Sequence, residues 1–148
     1  MFYLGTGHQA TDWRVVRDLK LTHIINVSVE HQCFFPDRIK YLHLELEDKE
    51  EVSIIDQFEK TIHFMNTAFA DSSSRILVHC NLGISRSSSL ILAYLMKTYN
   101  ATLFEAFKYV KNRRPIVCPN IGFLHQLLEF EHELFSNTYS DPQDPIFY

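Results

Sequence analysis

The chain has no run of lysines and arginines, and its formal net charge is −4. Both features argue against nucleic acid or an anionic membrane surface as a partner. No stretch approaches the roughly 20 apolar residues of a membrane helix. The opening Met1-Phe2-Tyr3-Leu4 lacks the pattern of a secretory leader, and phenylalanine at position 2 excludes N-myristoylation. Cysteine is sparse. Cys33, Cys80 and Cys118 form an odd set that cannot be a disulfide framework. A reducing compartment is therefore expected: the cytoplasm, with access to the nucleus left open. Eight histidines are present, yet apart from His79-Cys80 the only close His/Cys pair is His31-x-Cys33. No second ligand pair stands at zinc-like spacing, so neither a metal nor a cofactor is expected. There are no internal repeats and no break that would mark a second domain.

What is present is a well-patterned apolar chain. Apolar residues make up 46% and aromatics 14% of its 148 positions, enough for one domain with a real core. Short β-like runs at 2–4, 23–27, 41–46 and 75–80 alternate with helical patterns. Thr11 or Asp12 is placed to cap a helix reaching about Lys20. Ser53 is placed to cap a long helix to about Ala70, with Ile55, Phe58, Ile62, Met65 and Phe69 on one side. Further helices are expected at 86–99, from Thr102 to about Arg113, and from Asn120 to Phe135. Strands alternating with helices predict an α/β single domain, its largely parallel central sheet flanked by helices on both faces. The folded domain is expected to span 1–135, and residues 136–148 to form a flexible tail.

One segment carries chemistry. Residues 79–89 read His-Cys-Asn-Leu-Gly-Ile-Ser-Arg-Ser-Ser-Ser, after the apolar run Ile76-Leu77-Val78 and before a helical pattern. A cysteine in a tight strand-to-helix loop closed by arginine suits a phosphate-binding nucleophile. Backbone N–H groups and a helix N-terminus favour the thiolate, and the same donors hold phosphate oxygens. Gly83 permits a turn with positive φ or close approach to a ligand. Arg86 offers a planar fork for two phosphate oxygens. Ser87 is placed to donate to the sulfur, and His79 to buttress the loop. The expected phosphate-binding positions are Asn81, Leu82, Gly83, Ile84, Ser85 and Arg86. An acid is also needed to protonate a leaving oxygen. The residues alone leave a cluster open: Glu45, Glu47, Asp48, Glu50 and Glu51.

The loop resembles the signature of the dual-specificity protein phosphatases, and the likeness runs from about Tyr3 to Phe135. Tyr3-Leu4-Gly5 and Ile24-Ile25-Asn26-Val27 are similar to core strands of that family, and Ala93-Tyr94-Leu95-Met96 to the helix after its phosphate loop. Pro119-Asn120, Phe123 and Gln126-Leu127-Leu128 resemble the last helix of MAP kinase phosphatase catalytic domains. The resemblance implies metal-free hydrolysis of phosphotyrosine and phosphoserine or phosphothreonine through a cysteinyl-phosphate, with Cys80, Arg86 and Ser87 in the catalytic roles. It also singles out Asp48 as the acid, through the match of Tyr41 to Asp48 with the family's strand and acid loop; Glu47 and Glu50 stand next in line.

The variable loop positions Asn81, Leu82, Ile84 and Ser85 carry no positive charge, unlike related phosphoinositide or RNA 5′-triphosphate hydrolases. A phosphoprotein substrate follows, a MAP kinase or another signalling protein, with the enzyme a monomer or weak homodimer. The short chain lacks the insertions that deepen the pocket of tyrosine-specific relatives. Phe34 and Phe35 stand either at a cleft rim or in a plain loop. Arg113-Arg114 either meets acidic substrate segments or the dipole of its own helix. A rival reading is a pseudophosphatase-like phosphoprotein-binding module. Sulfur transfer or arsenate reduction would need neither Ser87 nor an upstream acid.

Overall fold

The computed structural model describes residues 1–148. Strand β1 (Phe2–Gly5), β2 (His23–Asn26), β3 (Lys40–His43) and β4 (Ile76–His79) form one parallel sheet in the order β1-β4-β2-β3. β4 is buried at every position, which is why it reads as a continuous apolar run rather than an alternating one. Side chains still alternate between the two faces. Ile24 and Leu77 pack with Ala10, Val16, Leu21 and Ile39 under the short helices α1 (Gly7–Ala10) and α2 (Trp13–Asp18). Ile25, Ile76 and Val78 face the larger core. That core is completed by α3 (Phe58–Phe69), α4 (Arg86–Tyr99), α5 (Leu103–Arg113) and α6 (Ile121–Phe135).

Helix α4 is buried from Arg86 through Met96. A helix covered on all sides belongs at the centre of its layer, and α4 packs against α3, α5 and α6. It is joined to the central strand by residues 80–85, so this loop stands at the C-terminal edge of a parallel sheet, where ligands bind in open α/β folds. Local chemistry sets the neighbouring helix starts. The Asp12 side chain accepts from Arg14 N, Thr102 and Glu105 form a reciprocal capping box, and Asn120 Oδ1 accepts from Phe123 N.

Four expectations need correction. The strand expected over 41–46 ends at His43: beyond the end of β2 the chain turns away, and Leu46 O goes to Arg86 instead of the sheet. Ser53 does not cap a long helix. Its hydroxyl donates to Asp56, and a 3₁₀ turn at Ile55–Gln57 precedes α3. Gln126 Oε1, from α6, accepts the Ile55 N–H at that turn. Helix α1, capped reciprocally by Thr6 and Gln9, was not anticipated.

The tail is the fourth. Residues expected to be flexible pack back on the domain, with Phe147 only 1% exposed and edge-on to Phe107 at 5.0 Å. The buried Glu131 carboxylate accepts from Leu103 N, Tyr139 N, Ser140 N and Ser140 Oγ. It thus ties α6 to the start of α5 and to the returning chain. An isolated buried carboxylate would be costly; four donors remove that cost.

Candidate active site

The loop from Cys80 to Ser85 has its carbonyls engaged from outside. Cys80 O meets His79 Nδ1 at 2.9 Å, and Asn81 O accepts from Gly7 N. Arg114 donates to Leu82 O and Gly83 O, at 3.0 and 2.9 Å. Ile84 O accepts from Cys118 N and Ser88 Oγ, and Ser85 O from Ser88 Oγ and Ser89 Oγ. The N–H groups of residues 81–85 donate to no protein oxygen or nitrogen. A loop with its carbonyls tied outward and its N–H groups unengaged is an anion cradle. Gly83 makes this possible at φ +68°, and a Cβ there would lie 2.5 Å from Gly5 O.

Cys80 is buried at the centre of this ring, its Sγ 3.2 Å from Ser87 Oγ. Burial pushes the thiol up. The Ser87 hydroxyl and N–H, the Gly83 N–H and the Arg86 charge more than offset that, so the thiol lies below its ordinary range. His79 is held neutral: burial lowers its pKa to about 4.

Arg86 is gripped from behind. Nη1 and Nη2 donate to the two oxygens of Glu30 at 2.8 and 3.1 Å, and Nη1 also to Leu46 O at 2.9 Å. Nε is buried with no acceptor. An unpartnered buried donor costs about 1–3 kcal/mol, and beside an anion cradle a ligand oxygen relieves it. The Arg86 bonds lower the pKa of Glu30, so the pair stays ionised near neutrality.

Asp48 is exposed on the neighbouring loop, its Oδ1 accepting from Asn120 Nδ2 at 2.9 Å. It lines a cleft of about 290 Å³ with Ile84 and Ser85 of the phosphate loop, Asn120 and Glu50. The alternatives separate: Glu47 pairs with Lys49, whereas Glu50 shares the cleft. Residues 79–87 thus run from the end of β4 into the start of α4, and Asp48 stands across the cleft from Ile84 and Ser85. Phe34 stands exposed and Phe35 stacks obliquely on Trp13. Arg113 lies over the Tyr109 ring and donates to Tyr109 O, at the end of its own helix.

Several supporting residues escaped sequence reasoning. Glu30 sits far from the motif in sequence, and nothing local marks it; Arg114, expected to meet acidic substrate segments or its own helix dipole, instead holds the Leu82 and Gly83 carbonyls. His31 meets Asn81 Oδ1 through Nε2 at 2.9 Å and is itself held by Asn26. Asn120 was expected only at the start of the last helix, yet it also holds Asp48, and its N–H donates to Ser85 Oγ. Gly122 did leave a signal, as a glycine in the first turn of a helix. A Cβ there would lie 2.0 Å from Glu50 O, so the acid loop rests directly on α6.

Comparison with known proteins agrees with this geometry. The family model described as "Dual specificity phosphatase, catalytic domain" matches residues 2–133. The chain is 40% identical over 129 residues to a Xenopus laevis protein phosphatase Slingshot homolog, covering 87% of this chain and 18% of that protein. It is 37% identical over 143 residues to human dual specificity protein phosphatase 5, covering 97% of this chain and 37% of that one. It thus spans well under half the length of these curated relatives. The crystal structure of human DUSP28 superposes with a TM-score of 0.85 at 28% identity, covering 91% of this chain and 94% of that one. The match takes in the strand, the cysteine loop and the helix that follows it, and the chain belongs to the dual specificity phosphatase catalytic-domain family.

Proposed function

We propose that this domain hydrolyses phosphotyrosine and phosphoserine or phosphothreonine in proteins through a cysteinyl-phosphate. One observation carries the reading: Cys80 Sγ lies inside a loop whose carbonyls are all tied outward and whose N–H groups at 81–85 bond no protein oxygen or nitrogen. Cys80 thiolate attacks phosphorus in line, and the loop N–H groups with Arg86 take the charge on the equatorial oxygens. The phosphorus–oxygen bond to the leaving group breaks, its electron pair goes to that oxygen, and Asp48 supplies the proton. Water then attacks phosphorus and gives a proton to Asp48. The sulfur–phosphorus bond breaks with its pair on sulfur, where Ser87 donates to the returning thiolate, and inorganic phosphate leaves.

The site is complete within one chain, so a monomer suffices. Uncharged side chains at Asn81, Leu82, Ile84 and Ser85 favour a phosphoprotein over a polyphosphorylated lipid; signalling proteins such as MAP kinases are candidate substrates. Three free cysteines suit the reducing cytoplasm or nucleus, and no helix is long and apolar enough to cross a membrane. The test is turnover of para-nitrophenyl phosphate and of phosphotyrosine and phosphothreonine peptides by the wild type and Cys80→Ser. We expect Cys80→Ser to lose turnover and retain phosphopeptide binding. A wild type that binds but hydrolyses none of these would leave the binding-module reading.

A further inference from the structure

The returning chain does more than cover the core. Tyr148 lines the cleft that Asp48, Ile84 and Ser85 share, together with Ile121 and Leu124 of α6. The ring is 66% exposed, yet it is fixed: its hydroxyl donates to Pro142 O at 2.9 Å and its N–H to Pro145 O. The preceding Phe147 is buried in the core, and Glu131 anchors the segment at Tyr139 and Ser140. Tyr148 is thus held in place at the cleft by its own segment.

We propose that Tyr148, Ile84 and Ile121, backed by the buried Leu124, form a subsite for an apolar side chain adjacent to the phosphorylated residue of the substrate. This rests on the phosphate-binding role of the Cys80 loop. Ile84 and Ser85 belong both to that loop and to this cleft, so a peptide whose phosphate sits in the loop passes the apolar wall next. The wall is held in place before binding, so little ordering cost is added. Asp48 and Glu50 lie on the rim of the same cleft. Asp48 must hold its proton when substrate binds, so the Glu50 carboxylate is the group that disfavours an acidic neighbour by like charge, which makes the subsite selective and not merely sticky.

The experiment measures binding, so it does not depend on turnover. Fluorescently labelled phosphotyrosine peptides with Leu, Ser or Asp on both sides of the phosphotyrosine are titrated into Cys80→Ser, Cys80→Ser/Tyr148→Ala and Cys80→Ser/Tyr148→Phe. We expect the Leu peptide to bind roughly tenfold tighter than the Asp peptide to Cys80→Ser, a central aromatic contact being worth about that. The ratio should fall to about threefold or less in Tyr148→Ala and persist in Tyr148→Phe, whose ring remains. Equal affinity for Leu and Asp peptides, or an undiminished ratio in Tyr148→Ala, overturns the subsite. Loss of para-nitrophenyl phosphate turnover in the wild type bears on the catalytic reading alone, because the subsite is read from binding.

Discussion

At the end of β4, the residue just before Cys80 is as constrained as Cys80 itself. His79 is buried against the Cys80 carbonyl, and its environment holds the imidazole neutral down to a pH of about 4. An unfolded histidine titrates near 6.5. Between those values the unfolded chain takes up a proton that the folded chain refuses, so stability rises with pH. The contribution is fully present above about pH 6.5 and erodes as pH falls toward 4, by an amount on the order of 3 kcal/mol. Urea denaturation of the wild type and His79→Gln from pH 4 to 7.5 measures it. The variant is expected to show a shallower loss of stability across that window, and parallel curves would sink the assignment. Arg86 illustrates the same economy with charge. Glu30 neutralises it in the free protein without occupying Nε, so the guanidinium is oriented before any phosphate arrives.

The acid loop and helix α6 form a single working element, because Gly122 lets the backbone at Glu50 lie against the first turn of the helix. Asn120, one residue before the helix, then reaches Asp48. A methyl group at position 122 must push that loop outward. Gly122→Ala is expected to lower kcat about 10- to 100-fold, the scale of an ångström's misplacement of a catalytic group. The loss should be larger for alkyl than for nitrophenyl phosphates, since a good leaving group needs less protonation; Asp48→Ala should show the same pattern. Wild-type rates in Gly122→Ala on alkyl phosphates would separate the loop from the helix.

Elements also differ in how far the sequence announces them. Helices α4 and α6 lie where the local pattern puts them, because residues 86–99 and 120–135 carry it unbroken, and Asn120 caps α6. The β3 end and the start of α3 were misjudged because remote groups decide them. Arg86 takes the Leu46 carbonyl, and Gln126 takes the Ile55 N–H. The cysteine loop was legible since its chemistry is contiguous. Glu30, His31 and Arg114 were not, since only the fold brings them to residues 80–86.

For the molecule as a whole, the segment after α6 is structural. Phe147 fills the core beside Phe107, and Glu131 binds the segment through three of its four hydrogen bonds. Phe147→Ala is expected to cost roughly 3–5 kcal/mol, as for other buried aromatics truncated in cores, and to open the stretch around residues 137–142 to proteolysis. Equilibrium unfolding in urea with limited proteolysis tests both. Unchanged stability and cleavage would mean that the segment does not hold the domain together.

The strand order β1-β4-β2-β3 has a consequence for synthesis. Strand β1 emerges among the first residues of this sequence, yet its only partner in the sheet is β4, more than seventy positions later. Until then β1 has no template, and β2 can join only β3. The last strand to be made closes the sheet on both sides at once, and the nucleophile follows it directly. On a ribosome the catalytic loop thus takes shape only as the sheet itself is completed, and long-range pairing of this kind is slow to form.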